Sequence, residues 1–69
     1  MKISARNVLS GTVVAIVKGP VTTEVTLEIA PGVQLVSTIT TTSAQALGLV
    51  EGARALGVIK ASSVMIATD

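Results

Sequence analysis

Residues 21–40 read VTTEVTLEIAPGVQLVSTIT, and this segment decides the fold class. Over residues 21–29 apolar or threonine side chains alternate with polar ones, so the odd-numbered residues share one face of a strand. Pro31-Gly32 fits the centre of a type II turn, because proline sets φ at the first position and glycine accepts positive φ at the second. Residues 33–40 then predict a returning strand, so the segment forms a β-hairpin.

The rest of the chain adds strands and one short helix. Residues 8–17 are nearly all apolar or small and include four valines and an isoleucine, which predicts a strand in which Gly11 indicates a bulge, a bend or a close backbone approach. Residues 41–49 begin with hydroxyl side chains that can cap a helix and contain Gly48 as a stop, which predicts one or two helical turns. Residues 54–60 and 63–68 predict two further strands.

We therefore expect an all-β protein with a single domain over residues 1–69. The order of elements favours a five-stranded barrel of the oligonucleotide/oligosaccharide-binding (OB) type, with the short helix between strands 3 and 4. An SH3-like barrel is the alternative.

Composition predicts that this domain associates with copies of itself. The 69 residues are 49% apolar and only 13% charged, against roughly 25% charged in a typical soluble domain. Because cysteine and histidine are absent, neither disulfides nor the usual zinc sites can stabilise so small a core. We expect several strands to be buried on both faces, one against the core and one against a neighbouring subunit.

Charge and hydropathy patterns exclude several partners. The net charge of +1 is too small to attract a nucleic acid backbone, and the chain has no aromatic side chain on which bases could stack. Nucleic acid is therefore not an expected partner. No apolar run approaches the roughly 18 residues of a membrane span, so no membrane association is expected. Nothing at the N-terminus resembles a secretion signal, which makes the cytoplasm the expected location.

The inventory of side chains gives no support to catalysis. Without His or Cys, the commonest general bases, nucleophiles and transition-metal ligands are missing. Glu24 and Glu28 lie four residues apart on one strand face, roughly 13 Å, which is too far for two carboxylates acting on one bond. We expect a protein that is not an enzyme, with no catalytic cofactor and no cation ligands.

Binding of a small anion suits the same inventory. Ser4-Ala5-Arg6-Asn7 places a hydroxyl, a guanidinium and a carboxamide directly before the first strand. Hydroxyl-bearing residues 40–43 precede the helix, and residues 60–63 join the last two strands. Such neutral donors with few charges can hold an oxyanion such as sulfate, molybdate or tungstate. The alternatives are that residues 40–43 only cap the helix and that Lys60 is an exposed strand end.

Three motifs together resemble the molbindins, the small Mop proteins built from one TOBE-type domain. They are SARN followed by LSGTVV at residues 4–14, ITTTS at residues 39–43, and VIKASSVMI at residues 58–66. The resemblance extends over residues 1–67. It implies an OB-like barrel, a homohexamer arranged as a trimer of dimers, and molybdate or tungstate bound between subunits for storage and homeostasis in the cytoplasm.

The resemblance also implies which residues contact the oxyanion. The matching positions are Ser4, Ala5, Arg6, Thr40, Ser43, Lys60 and Ala61. A second oxyanion site is expected at the first turn, at Lys18, Gly19, Val21 and Thr22. There Pro20 removes one backbone donor.

A function of a different class competes with oxyanion storage. The surplus of apolar residues also suits a structural or regulatory module that docks a larger protein through its apolar faces. Pterin binding is a weaker alternative, because the chain has no aromatic side chain to stack on the ring.

Overall fold

The computed structural model of the protein describes all of residues 1–69. Its regular elements, in chain order, are β1 Asn7–Lys18, β2 Thr22–Ala30, β3 Val33–Thr40, α1 Thr41–Ala46, β4 Arg54–Ile59 and a 3₁₀ helix at Ala61–Ser63. The strands form one antiparallel sheet in the order β3-β2-β1-β4. The all-β class and the short helix after the third strand are therefore confirmed. Neither helix has the length and hydropathy that crossing a bilayer would take.

Strand β1 pairs with a different neighbour along each half of its length. Residues 7–12 pair with β4, and residues 12–18 pair with β2, with a register shift between Val13 and Ala15. At this bulge the backbone of Val13 also bonds the loop before β4, with its N–H donating to Ala53 and its carbonyl accepting from Gly52, both at 2.8 Å. A bulge of this kind bends the strand, so the sheet curls into a half-barrel.

The hairpin and the helix end as the sequence predicts. Gly32 has φ of 74° in the two-residue connection between β2 and β3, where its missing side chain permits that conformation. At the end of α1, Gly48 has φ of 63°, the Gly48 N–H donates to Gln45 and the Leu49 N–H donates to Ala44. This pair of bonds is a Schellman motif, which satisfies the last carbonyls of the helix.

Gly11 lies where the backbone of β2 comes close to β1. A Cβ atom at this position would be 2.8 Å from the carbonyl oxygen of Glu28, which is fixed in the backbone of the neighbouring strand. Of the three expectations for this glycine, the close backbone approach is therefore confirmed. The bulge itself lies further along β1.

The core of the single chain is small. Only Val13, Val25 and Leu27 are buried apolar residues, and partly buried side chains of all four strands and of Leu49 pack around them. The alternation predicted for residues 21–29 is confirmed from Thr23 onward, but Val21 is 71% exposed because it precedes β2.

The predicted fifth strand over residues 63–68 does not form in this chain. Ala61–Ser63 is a 3₁₀ helix, and residues 64–69 have no regular structure. A strand needs the edge of a neighbour for its backbone hydrogen bonds, whereas residues 60–69 are all exposed. β3 and β4 therefore remain two open edges, and the five-stranded barrel is corrected to a four-stranded half-barrel.

Candidate functional site

Five of the seven predicted oxyanion ligands lie together at one end of the sheet. In the register between β1 and β4, Asn7 is opposite Ile59, so Arg6 and Lys60 extend from neighbouring strand ends. The side chains of Ser4, Arg6 and Lys60 are exposed. We name these five residues the leader group: Ser4, Ala5, Arg6, Lys60 and Ala61.

The leader group keeps its donors available. All four side-chain hydrogen bonds of the chain are made by threonine and serine residues elsewhere, at positions 23, 40, 41 and 43. The guanidinium of Arg6 has five N–H donors and the ammonium of Lys60 has three, all facing solvent. Two cations and one hydroxyl at the same strand ends are a suitable set of donors for an oxyanion.

The other two predicted ligands, Thr40 and Ser43, form a cap group at the start of α1. The Thr40 hydroxyl oxygen accepts a 3.0 Å bond from the Ser43 backbone N–H, and its O–H donates to the Ser43 hydroxyl at 2.7 Å. Thr40 is therefore the N-cap of the helix, as the alternative interpretation of residues 40–43 expected. Because the Thr40 proton is used, the exposed Ser43 O–H is the donor that remains for a ligand.

The leader group and the cap group lie at opposite ends of β1. The leader group adjoins Asn7, whereas Thr40 pairs with Thr22 just beyond the other end, at Lys18. A 12-residue strand is on the order of 35 Å long, and the longest dimension of the molecule is 37 Å. One chain therefore does not bring the seven predicted residues into one site.

The predicted second site surrounds the turn between β1 and β2 and lies next to the cap group. The Thr41 backbone N–H donates to the Val21 carbonyl at 2.8 Å, which holds the turn against the start of α1. The Gly19 N–H is not free to bind an anion there, because it closes the turn by donating to the Thr22 carbonyl at 2.9 Å. With Pro20 lacking an N–H, the Lys18 ammonium and the Thr22 hydroxyl are the side-chain donors that remain.

A buried pair of threonines stabilises this turn, and no motif in the sequence indicates it. The Thr41 hydroxyl donates to the Gly19 carbonyl at 2.7 Å and lies 2.8 Å from the Thr23 hydroxyl. Since a hydroxyl has one proton, Thr23 must donate to Thr41. Thr23 is 1% exposed and Thr41 is 8% exposed, so the pair is structural. The one signal in the sequence was the place of Thr23 on the inward face of β2.

The fold and the donor-rich strand ends define the class of domain, and comparison with known proteins agrees. The profile of the TOBE domain matches residues 3–66. Molybdenum-pterin-binding protein 1 of Clostridium pasteurianum is 52% identical over 66 residues, which cover 96% of this chain and 97% of that protein. The molybdenum transport protein ModE of Herbaspirillum seropedicae is 49% identical over the whole chain, which spans about a quarter (26%) of its length.

Solved structures support the same assignment. An apo form of MopII from Clostridium pasteurianum has a TM-score of 0.91 at 49% identity, with 97% of this chain and all of that chain covered. The cytoplasmic molybdate-binding protein ModG, in a form with molybdate bound, has a TM-score of 0.89 at 46% identity, with 94% of this chain and 46% of that chain covered. The chain belongs to the TOBE-domain family of small molybdenum-pterin-binding (Mop) proteins.

Proposed function

We propose that this protein binds molybdate or tungstate at sites completed when copies of the chain associate as a homohexamer, and that it stores the oxyanion in the cytoplasm without catalysis. The observation that carries the proposal is the leader group, whose cations and hydroxyl are exposed and unpaired. Relatives and structural neighbours named for binding molybdenum-pterin or molybdate support the choice of ligand.

The chemistry of the leader group suits a tetrahedral dianion. Arg6 and Lys60 supply charge, while Ser4 and the backbone N–H groups of Ala5 and Ala61 supply neutral donors. Neither of the two glutamates of β2 lies at this end of the sheet, since Glu24 is opposite Val17 and Glu28 is opposite Thr12 of β1. An anion bound at the leader group therefore lies away from the carboxylates of β2.

The remaining oxygens of the anion need donors from a second copy. The five residues of the leader group, at two neighbouring strand ends, contact one side of a tetrahedral ligand, and the cap group of the same chain lies at the far end of β1. In this proposal the Ser43 O–H of a neighbouring copy reaches the anion, with Thr40 holding that hydroxyl in place. The Lys18 and Thr22 side chains would hold a second anion at another contact between copies.

Titration calorimetry with sodium molybdate tests the proposal. Wild-type protein should bind, whereas Arg6→Ala and Lys60→Ala should each weaken binding by roughly ten-fold or more, because a hydrogen bond to a charged group contributes about 1.5–3 kcal/mol. Lys2→Ala is the matched control, since it removes an exposed cation from the N-terminal segment before β1 and leaves the predicted ligands unchanged. Absence of heat with both molybdate and tungstate would disprove the function, and unchanged affinity in both variants would remove these residues from the site.

A docking module is the second candidate, because several relatives contain the matching segment within a longer protein. The chain matches only 26% of ModE, and many large apolar side chains are exposed in the single chain. Light scattering on the purified chain distinguishes the two functions. A stable homo-oligomer that binds molybdate supports storage, whereas a monomer that binds no oxyanion supports docking.

A further inference from the structure

One residue, Thr41, holds the turn between β1 and β2 at two places. Its backbone N–H donates to the Val21 carbonyl at 2.8 Å, and its hydroxyl donates to the Gly19 carbonyl at 2.7 Å. Thr41 is buried, so water does not readily replace these bonds. The two carbonyls lie on either side of Pro20, and the first residue of α1 therefore sets the position of the turn.

The turn has little else to hold it. Its own backbone bond is the one from the Gly19 N–H to the Thr22 carbonyl, whereas Pro20 has no N–H and the Val21 N–H makes no hydrogen bond within the chain. The backbone also passes close to itself here, since a Cβ atom on Gly19 would lie 2.5 Å from the Thr22 carbonyl oxygen. Without Thr41, a single backbone bond would hold residues 19–22.

The donors predicted for the second oxyanion site belong to this same turn. The Lys18 ammonium and the Thr22 hydroxyl make no side-chain hydrogen bond, and Val21 supplies the free backbone N–H among residues 19–21. Val21 is also exposed, so a ligand can reach it. Donors bind an anion tightly when their arrangement is fixed beforehand, because binding then costs less conformational entropy.

We propose that Thr41 is a positioning residue for the second oxyanion site. It has no proton to offer an anion, because its hydroxyl donates to Gly19 and accepts from Thr23. It acts by holding the Gly19 and Val21 carbonyls, so that the free donors of the turn keep one arrangement in the absence of ligand. The inference rests on the proposed function, since it concerns the second site of that proposal.

The partner of Thr41 offers a way to separate positioning from stability. The Thr23 hydroxyl bonds to Thr41 and makes no side-chain bond to the turn. Thr23→Val therefore removes a buried hydrogen bond but leaves both bonds from Thr41 to the turn. Thr41→Val removes the bond to Gly19 as well, and Thr41→Ser keeps it. Thr23→Val is thus the matched control for lost stability, and Thr41→Ser is the conservative rescue.

Amide hydrogen exchange, followed by NMR without any oxyanion, tests the effect on the turn. In Thr41→Val the Gly19 N–H should exchange roughly ten-fold faster, relative to the slowest amides of the sheet, because the turn opens locally. Comparison with the slowest amides corrects for the stability of the whole fold. In Thr23→Val and Thr41→Ser the ratio should remain as in wild type. An unchanged ratio in Thr41→Val, or an equal rise in Thr23→Val, overturns the proposal.

Titration calorimetry with sodium molybdate tests the effect on binding, at a temperature where circular dichroism shows every variant to be folded. Arg6→Ala identifies the heat of the leader-group site, and Lys18→Ala identifies that of the second site. Thr41→Val should weaken the second site roughly ten-fold and retain the leader-group site. Thr23→Val and Thr41→Ser should bind as wild type at both. Wild-type affinity at the second site in Thr41→Val, or equal loss at both sites, overturns the positioning role.

Failure of this inference differs from failure of the proposed function. Wild-type protein that gives no heat with molybdate disproves the function and the inference together. A Lys18→Ala variant that retains every heat removes the second site, and the inference with it, but leaves the leader-group site. Two classes of heat that Thr41→Val leaves unchanged overturn the positioning role alone.

Discussion

The two ends of β1 differ in how completely one chain satisfies their polar groups. At the Lys18 end, the hydroxyls of Thr23, Thr40 and Thr41 all have partners within the chain. At the Asn7 end, the leader group makes no side-chain hydrogen bond. The same strand thus joins a group of threonines whose hydroxyls are paired within the chain to a leader group whose side chains are not.

This difference separates stability from binding. A buried hydroxyl that loses its partner costs free energy, because it cannot recover the bond from water. An exposed guanidinium keeps its hydration and costs nothing in the absence of a ligand. We therefore expect substitutions of the paired threonines at the Lys18 end to affect the stability of the fold, and substitutions in the leader group at the Asn7 end to affect binding of the oxyanion.

The largest effect on stability is expected from Thr41→Val. The valine has nearly the same volume but leaves the Gly19 carbonyl and the buried Thr23 hydroxyl without partners. The free energy of unfolding should fall by about 2–4 kcal/mol. Urea denaturation at one fixed protein concentration measures it, because association also contributes to apparent stability.

Thr41→Ser is the matched control, since it keeps the hydroxyl and should retain most of the stability. If the valine variant unfolds at the same urea concentration as wild type, the buried threonine pair is not what stabilises this turn.

A smaller loss is expected from Thr40→Ala, which removes the N-cap of α1. Loss of a threonine cap costs roughly 1 kcal/mol, because the Ser43 N–H then has no acceptor within the chain. Thr42→Ala is the comparison, since Thr42 is exposed within the same helix and caps nothing. Equal midpoints for the two variants would contradict the capping role.

The smallest effect on stability is expected from Arg6→Ala. An exposed side chain without partners should change the free energy of unfolding by no more than about 0.5 kcal/mol in the absence of oxyanion. In saturating molybdate, the melting temperature of wild type should rise and that of the variant should rise less, because only binding to the folded state stabilises it. A variant that loses stability equally with and without molybdate would make Arg6 a structural residue.

Local patterns in the sequence predicted most of the elements. The alternation over residues 23–29, the Pro31-Gly32 turn and the stop at Gly48 each depend on neighbours within a few positions. Local patterns could not show that the fifth strand fails to form. Residues 63–68 have the composition of a strand, but they have no edge to pair with in their own chain. The bond that occupies the Gly19 N–H likewise depends on how the turn closes.

For the candidate site, the sequence predicts the types of residue but not which of them lie together. Its residue types follow from the sequence, since Arg, Lys, Ser and Thr ahead of strands and helices are donors wherever the chain places them. The grouping of these residues does not follow from the sequence, because it depends on the strand register that pairs Asn7 with Ile59 and Thr22 with Thr40.

Side-chain chemistry and short-range periodicity were enough to predict four of the strands, the turns, the helix cap and the inventory of anion donors. Only the folded chain shows that β1 changes partner at Thr12, that Arg6 lies beside Lys60 while Thr40 lies at the other end of the strand, and that the half-barrel remains open. These features depend on pairing between residues far apart in the chain, for which a single sequence carries no local signal.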